Sequence, residues 1–279
     1  MHALKRAFGP LALLVPVLLL ASPPLAQARQ AEAAAPALPA SVQGEDNWLY
    51  RGTDIPQDPE WVFGELANGV RYAVRHNNVP PGQVSIRVRI DAGSLYERPG
   101  EEGFAHLLEH LLFRESKYLG QAEAIPAWQR LGATFGSDTN AETSPTQTVY
   151  KLDLPNATPA ALEESFKLLS GMVREPVLSQ ANIATEVPIV LAEMRERGGA
   201  GKRVSDATRQ LYFAGQPLAE RAPIGTEASL RGAGAAAMQA FHARWYRPES
   251  TVVVAVGDAD PAELARQVEK WFADWTAEG

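Results

Sequence analysis

Apolar positions along the chain follow two periods. Val84, Ile86, Val88 and Ile90 alternate with Ser85, Arg87 and Arg89, the two-residue repeat of a strand with one buried face. Residues 70–74 read as a strand before it, and residues 77–82 are a cluster of turn formers, so the two strands are expected to form a hairpin. Residues 148–154 alternate in the same way, and residues 251–256 form the apolar run of a buried strand. Elsewhere the spacing lengthens to a helical period. Phe104, Leu107, Leu108, Leu111 and Leu112 predict a helix over 101–113, followed by a shorter one over 126–131. Thr158 and Pro159 are an N-cap and first-turn pair ahead of the stripe Leu162, Phe166, Leu169 and Val173. Further helices are expected near 185–197, 203–213 and 226–246, and Asp260 with Pro261 opens a last one. Strands and helices in this mixed order predict an α+β fold, an antiparallel or mixed sheet packed against helices, rather than a doubly wound sheet.

The first residues follow neither period. Lys5 and Arg6, an apolar run over 11–20 broken by Pro16, and the small-x-small series Ala26, Gln27, Ala28 fit an export signal over 1–28. The run is short for a membrane span, so the alternative, an uncleaved inner-membrane anchor, is the weaker reading. Residues 29–56 are rich in Ala and Pro at the start, lack an apolar stripe, and read as a linker and lead-in. That leaves 57–279 as one domain. Expected to be periplasmic, of the Gram-negative type, or otherwise exported, the mature protein is expected to hold no stable association with the membrane.

Composition narrows the chemistry. Net charge is −7 and no Lys or Arg run is present, which disfavours nucleic acid as a partner. The chain has no cysteine, so a metal or catalytic site must use His, carboxylate or hydroxyl groups.

The stretch His106-Leu107-Leu108-Glu109-His110 supplies such groups. On a helix, residues four apart lie about 40° apart and one turn on, so the two imidazoles share a face, with Glu109 nearby. The leucines mark the helix as buried, where two unpartnered imidazoles and a carboxylate would be costly; a metal removes that cost. Zinc suits this donor set, and His-x-x-Glu-His is the inverted form of the familiar zinc motif. The bland alternative is an amphipathic helix whose histidines fall one turn apart by chance. His76 reads as a solvated turn residue and His242 as a partly buried core residue. A third ligand should be a carboxylate, but spacing alone does not choose between the pair Glu186 and Glu193 and the pair Glu163 and Glu164.

The sequence resembles the pitrilysin/insulinase family of zinc metallopeptidases, in particular the amino-terminal domain of the long periplasmic bacterial members. The resemblance runs from about Trp61 to Trp275. It rests on residues 68–72, Ala92-Gly93-Ser94 with Glu97, the His106–His110 motif, residues 132–143, Glu186 and Glu193, residues 223–226, residues 245–248, and Val256-Gly257-Asp258. It implies one zinc ion held by His106, His110 and Glu193, with Glu109 as general base on zinc-bound water and Glu186 supporting the ligands. It also implies that residues 137–143 form an edge strand on which a peptide substrate is laid, with Asn140 and Ala141 holding its backbone. Endopeptidase activity on peptides or unfolded segments follows from the resemblance, as does a need for further homologous domains or a partner subunit. The alternative is a non-catalytic, structural or partner-binding member of the same fold. A zinc hydrolase acting on something other than peptides is a weaker third. Pro188 is expected in the first turn of the helix carrying Glu193.

Overall fold

The computed structural model describes Trp48 and residues 53–277. The expected export signal, and the linker apart from Trp48 and residues 53–56, lie outside the described residues. The fold described here belongs to the unit Gln57–Gly279. Among the described residues no helix is long and apolar enough to cross a membrane.

Six strands form one sheet: β1 (Trp61–Glu65), β2 (Arg71–His76), β3 (Val84–Ile90), β4 (Thr139–Thr143), β5 (Thr148–Leu154) and β6 (Thr251–Gly257). Their order is β1-β2-β6-β3-β5-β4, with β2 and β6 parallel and every other neighbour pair antiparallel. The sheet is therefore mixed, as the alternation of elements implied. The expected hairpin between β2 and β3 does not form: β6 lies between them, and β2 makes its hairpin with β1 instead. The physical reason lies in β6. Its unbroken apolar run favours a central position, with neighbours on both edges.

Among the described residues, eight α-helices accompany the sheet: α1 (Phe104–Leu112), α2 (Ala124–Arg130), α3 (Pro159–Arg174), α4 (Gln180–Glu196), α5 (Ala200–Tyr212), α6 (Glu227–Gly232), α7 (Ala235–Trp245) and α8 (Pro261–Phe272). The single helix expected over 226–246 is two, parted at Ala233 and Gly234, where the backbone turns extended. Val84, Ile86, Val88 and Ile90 of β3, with Tyr150, Leu152 and Leu154 of β5, are buried in the core with Phe166, Leu169 and Phe241 from the helices. Ser85, Arg87, Arg89, Val149, Lys151 and Asp153 take the other face, as a two-residue period requires.

α4 begins earlier than its stripe suggested. Ser179 caps it, its hydroxyl accepting from the Asn182 N–H at 3.1 Å, so Pro188 lies inside the helix and not in its first turn. The proline ring can donate no hydrogen bond to the carbonyl of Ala184, a loss the helix tolerates where Pro188 is exposed.

Candidate metal centre

Eight of the nine residues of α1 are buried, His106 and Glu109 among them. The helix has no side-chain cap at Gly103. Instead Glu97 reaches in from the preceding loop, and its Oε1 accepts from the N–H groups of Gly103 and Ala105, each at 3.0 Å. Burial pushes the Glu97 carboxyl up to about 8, outweighing the two N–H donors that favour its ionised form. Gly103 has φ +96°, and a Cβ there would lie 2.9 Å from Cα of Gly225. Gly225 in turn has φ +71° and would clash with the Glu102 carbonyl. These two glycines let the segment bearing Pro223 and Ile224 cross closely over the start of α1.

From α1, His106 and His110 turn their rings toward Glu193 of α4. Nε2 of His106 lies 3.7 Å, and Nε2 of His110 3.5 Å, from Oε2 of Glu193. One donor atom from each of the three lies within 4.8 Å of the others. A tetrahedral zinc ion with bonds of about 2.0–2.2 Å holds its ligand atoms about 3.4 Å apart, close to the two imidazole–Glu193 separations, and the donor set fits zinc in type. The two rings stand edge to face, with centroids 4.8 Å apart. Burial, followed by the neighbouring His110 and Arg197, lowers His106 to about 3, which keeps it in the neutral form that a metal requires.

Behind the donors, Nδ1 of His110 lies 3.3 Å from Oε2 of the buried Glu186, whose other oxygen is 3.3 Å from Nε of Arg114. A hydrogen on Nδ1 facing Glu186 leaves Nε2 as the nitrogen free to coordinate a metal. Burial opposes protonation of His110, yet Glu186, Glu109 and Glu193 together raise its pKa. Glu109 is raised by its own burial, against the hydroxyl of Thr143, which donates to its Oε2 at 2.5 Å. Arg197, one turn beyond Glu193, pairs with Oε1 of that residue at 2.6 Å.

His106, Glu109, His110 and Glu193 line a cleft of about 650 Å³ that continues along Asn140 and Ala141 of β4. A second cavity of about 430 Å³, walled by Phe113, Ile125, Phe135 and Ile189, meets it at Glu109, His110 and Asn140. Glu163 and Glu164, the other carboxylate pair open on spacing, sit on α3 and pair with Lys270 and Lys167 at 2.5 and 3.1 Å. His76 is exposed at the end of β2, whereas His242 stacks on Tyr246 with Nε2 at 2.8 Å from the Val173 carbonyl. Arg114 and Arg197 were not foreseen as parts of the site, and Thr143, expected within the edge strand, was not foreseen as a partner of Glu109. Thr143 is 34 residues from Glu109, and only the strand pairing of β4 brings it there.

The sequence profile described as insulinase (peptidase family M16) matches residues 72–220, more than half of the chain. The chain belongs to the insulinase family. A second profile, the peptidase M16 inactive domain, matches residues 233–279. Among insulinase-family relatives, the chain is 31% identical to the probable zinc protease PqqL of Haemophilus influenzae over 222 residues, 80% of this chain and 24% of that protein. The crystal structure of the first half of the periplasmic protease PqqL from Escherichia coli superposes with a TM-score of 0.77 at 29% identity, covering 81% of this chain and 48% of that one. Pitrilysin superposes with a TM-score of 0.68 at 22% identity, a likeness of fold alone. The chain spans about a quarter of the length of the curated PqqL proteins it matches.

Proposed function

We propose that this chain is the metal-bearing domain of a zinc endopeptidase that hydrolyses peptides or unfolded segments. The observation that carries the reading is the convergence of two imidazole Nε2 atoms and Oε2 of Glu193 beside Glu109, in a cleft that runs along the free edge of the sheet. His106, His110 and Glu193 hold the zinc, and Glu186 fixes the ring of His110. When bound, zinc supplies a Lewis acid that acidifies water and polarises a carbonyl. Glu109, steadied by Thr143, takes the proton of the attacking water and delivers it to the leaving amine. Its raised pKa suits a group that must both gain and release a proton. A peptide adds to β4 as a further strand, with Asn140 and Ala141 holding its main chain, which gives affinity with little dependence on side chains.

Residues 57–279 act as the first repeat of a longer enzyme, whose further domains or a partner subunit complete the substrate contacts. The chain alone is then weakly active or inactive. Residues 1–28 direct export, residues 29–56 link, and the enzyme works in the periplasm, the compartment named for its Escherichia coli relative.

Metal analysis together with cleavage of an unstructured peptide, with and without chelator, tests the proposal. Glu109→Gln should retain one zinc per chain while cleavage falls by about 10²–10⁴-fold. Undiminished turnover in that variant would contradict the role of Glu109.

A further inference from the structure

Among the described residues β4 ends the strand order, so one of its sides has no neighbouring strand there, and that side borders the cleft. On the face of the sheet turned away from the core, the arginines of β3, and Arg71 of β2, are already paired. Arg87 meets Asp153 at 2.8 Å, and Arg89 and Arg71 meet Asp91 at 2.7 and 3.1 Å. Lys151 stands directly opposite Arg87 on one side and Asn140 on the other. Among the described residues it has no carboxylate within the 4.0 Å of an ion pair. Glu142 lies two residues along β4 from Asn140, on the same face, and it too has no cationic partner among the described residues. Both side chains line the cleft. Among the described residues, the site therefore carries an unpaired cation and an unpaired anion at successive same-face rungs of the ladder beside an open strand edge.

An extended peptide added to β4 sends alternate side chains to the two faces of the sheet. Those on the face of Ala141 and Thr143 point toward Glu109. Those on the other face pass beside Asn140 and Glu142. Strands lie about 4.8 Å apart, so a residue opposite Asn140 is about 10 Å across the sheet from Lys151, a gap that a lysine and an acidic side chain together span. The residue opposite Glu142 is its direct neighbour. Antiparallel addition is the more stable arrangement, and it places the residue facing Glu142 before the one facing Asn140 in the peptide.

We infer that the cleft selects peptides by a pair of charges, a basic side chain facing Glu142 and, two residues later, an acidic one facing Lys151. The inference rests on the proposed role of β4 as the peptide-holding edge and adds to it a substrate class, Lys/Arg-x-Asp/Glu. Main-chain pairing holds any peptide; these two charges set which register is preferred.

The test uses the zinc-loaded Glu109→Gln chain, which turns its ligand over too slowly to disturb a binding measurement, and two fluorescent ten-residue peptides of equal composition. One carries Lys-x-Asp at its centre and the other Asp-x-Lys, and binding is read by polarisation. Lys-x-Asp should bind about tenfold more tightly, because each exposed charge contact that is matched in one peptide is repulsive in the other. The ratio should shrink at high salt. Adding Lys151→Glu and Glu142→Lys together should reverse the preference, and Lys151→Met alone should weaken it. Equal binding of both peptides, or a preference unmoved by the double swap, overturns the inference while leaving the peptide-holding edge intact. Binding of neither peptide by a chain that retains its zinc overturns both.

Discussion

The two helices that supply the donors are built in opposite ways. α1 is short, buried on nearly every side, and lacks a cap of its own; packing of Leu107, Leu108, Leu111 and Leu112 and the two hydrogen bonds from Glu97 hold it. α4 is 17 residues long, buries five of them, carries its own Ser179 cap, and continues through Pro188. His106 and His110 are therefore fixed by the core, as rigidly as the sheet they pack near. Glu193 depends on the path of a half-exposed helix, and it is tied at its end by Arg197. Two of the proposed ligands come from a rigid wall and the third from a more adjustable one, so perturbing each helix should have a different signature.

The largest effect belongs to the rigid wall. Leu111→Ala removes a fully buried side chain from the middle of α1 and should lower unfolding free energy by about 2–5 kcal/mol in denaturant titrations. A cost within about 0.5 kcal/mol would show that α1 is not held by its packing. In the other helix the sign reverses. Pro188→Ala restores a main-chain donor for the Ala184 carbonyl at an exposed position, and stability should rise by about 1–3 kcal/mol. A loss of stability would mean that the proline shapes α4 to seat Glu193.

A pH effect sharpens the account of how α1 is anchored. The folded-state pKa of Glu97, about 8, lies above its ordinary 4.5, so the native chain keeps a proton that the unfolded chain releases. Its contribution is full below pH 4.5 and is lost as pH rises toward 8. Glu97→Gln keeps an oxygen for the two N–H groups and should flatten that part of the stability profile. An unchanged slope between those pH values would assign it to other groups.

Much of this arrangement was legible in the residues. The alternation in β3 and β5, the stripe of α1 and the His106–His110 spacing are local patterns, and local patterns survive folding because each element buries its own apolar side. What was not legible is non-local. Nothing near residues 70–90 signals that β6, more than 160 residues later, inserts between β2 and β3. The start of α4 was obscured because its stripe is weak and Pro188 imitates a first turn, although Ser179 three residues before Asn182 carried the signal of a cap. Choosing Glu193 over Glu163 required either the family resemblance or the packing of α4 on α1. Thr143, Arg114 and Glu97 act through contacts that no spacing rule encodes.

The central claim is that two imidazoles of α1 and one carboxylate of α4 hold a single zinc ion. Zinc-edge X-ray absorption on the metal-loaded chain tests it most directly. The account predicts two imidazole nitrogens at about 2.0–2.1 Å and a carboxylate oxygen at about 2.0–2.2 Å, with one imidazole lost in His110→Ala. A spectrum without imidazole scattering, or one unaltered by His110→Ala, would contradict it.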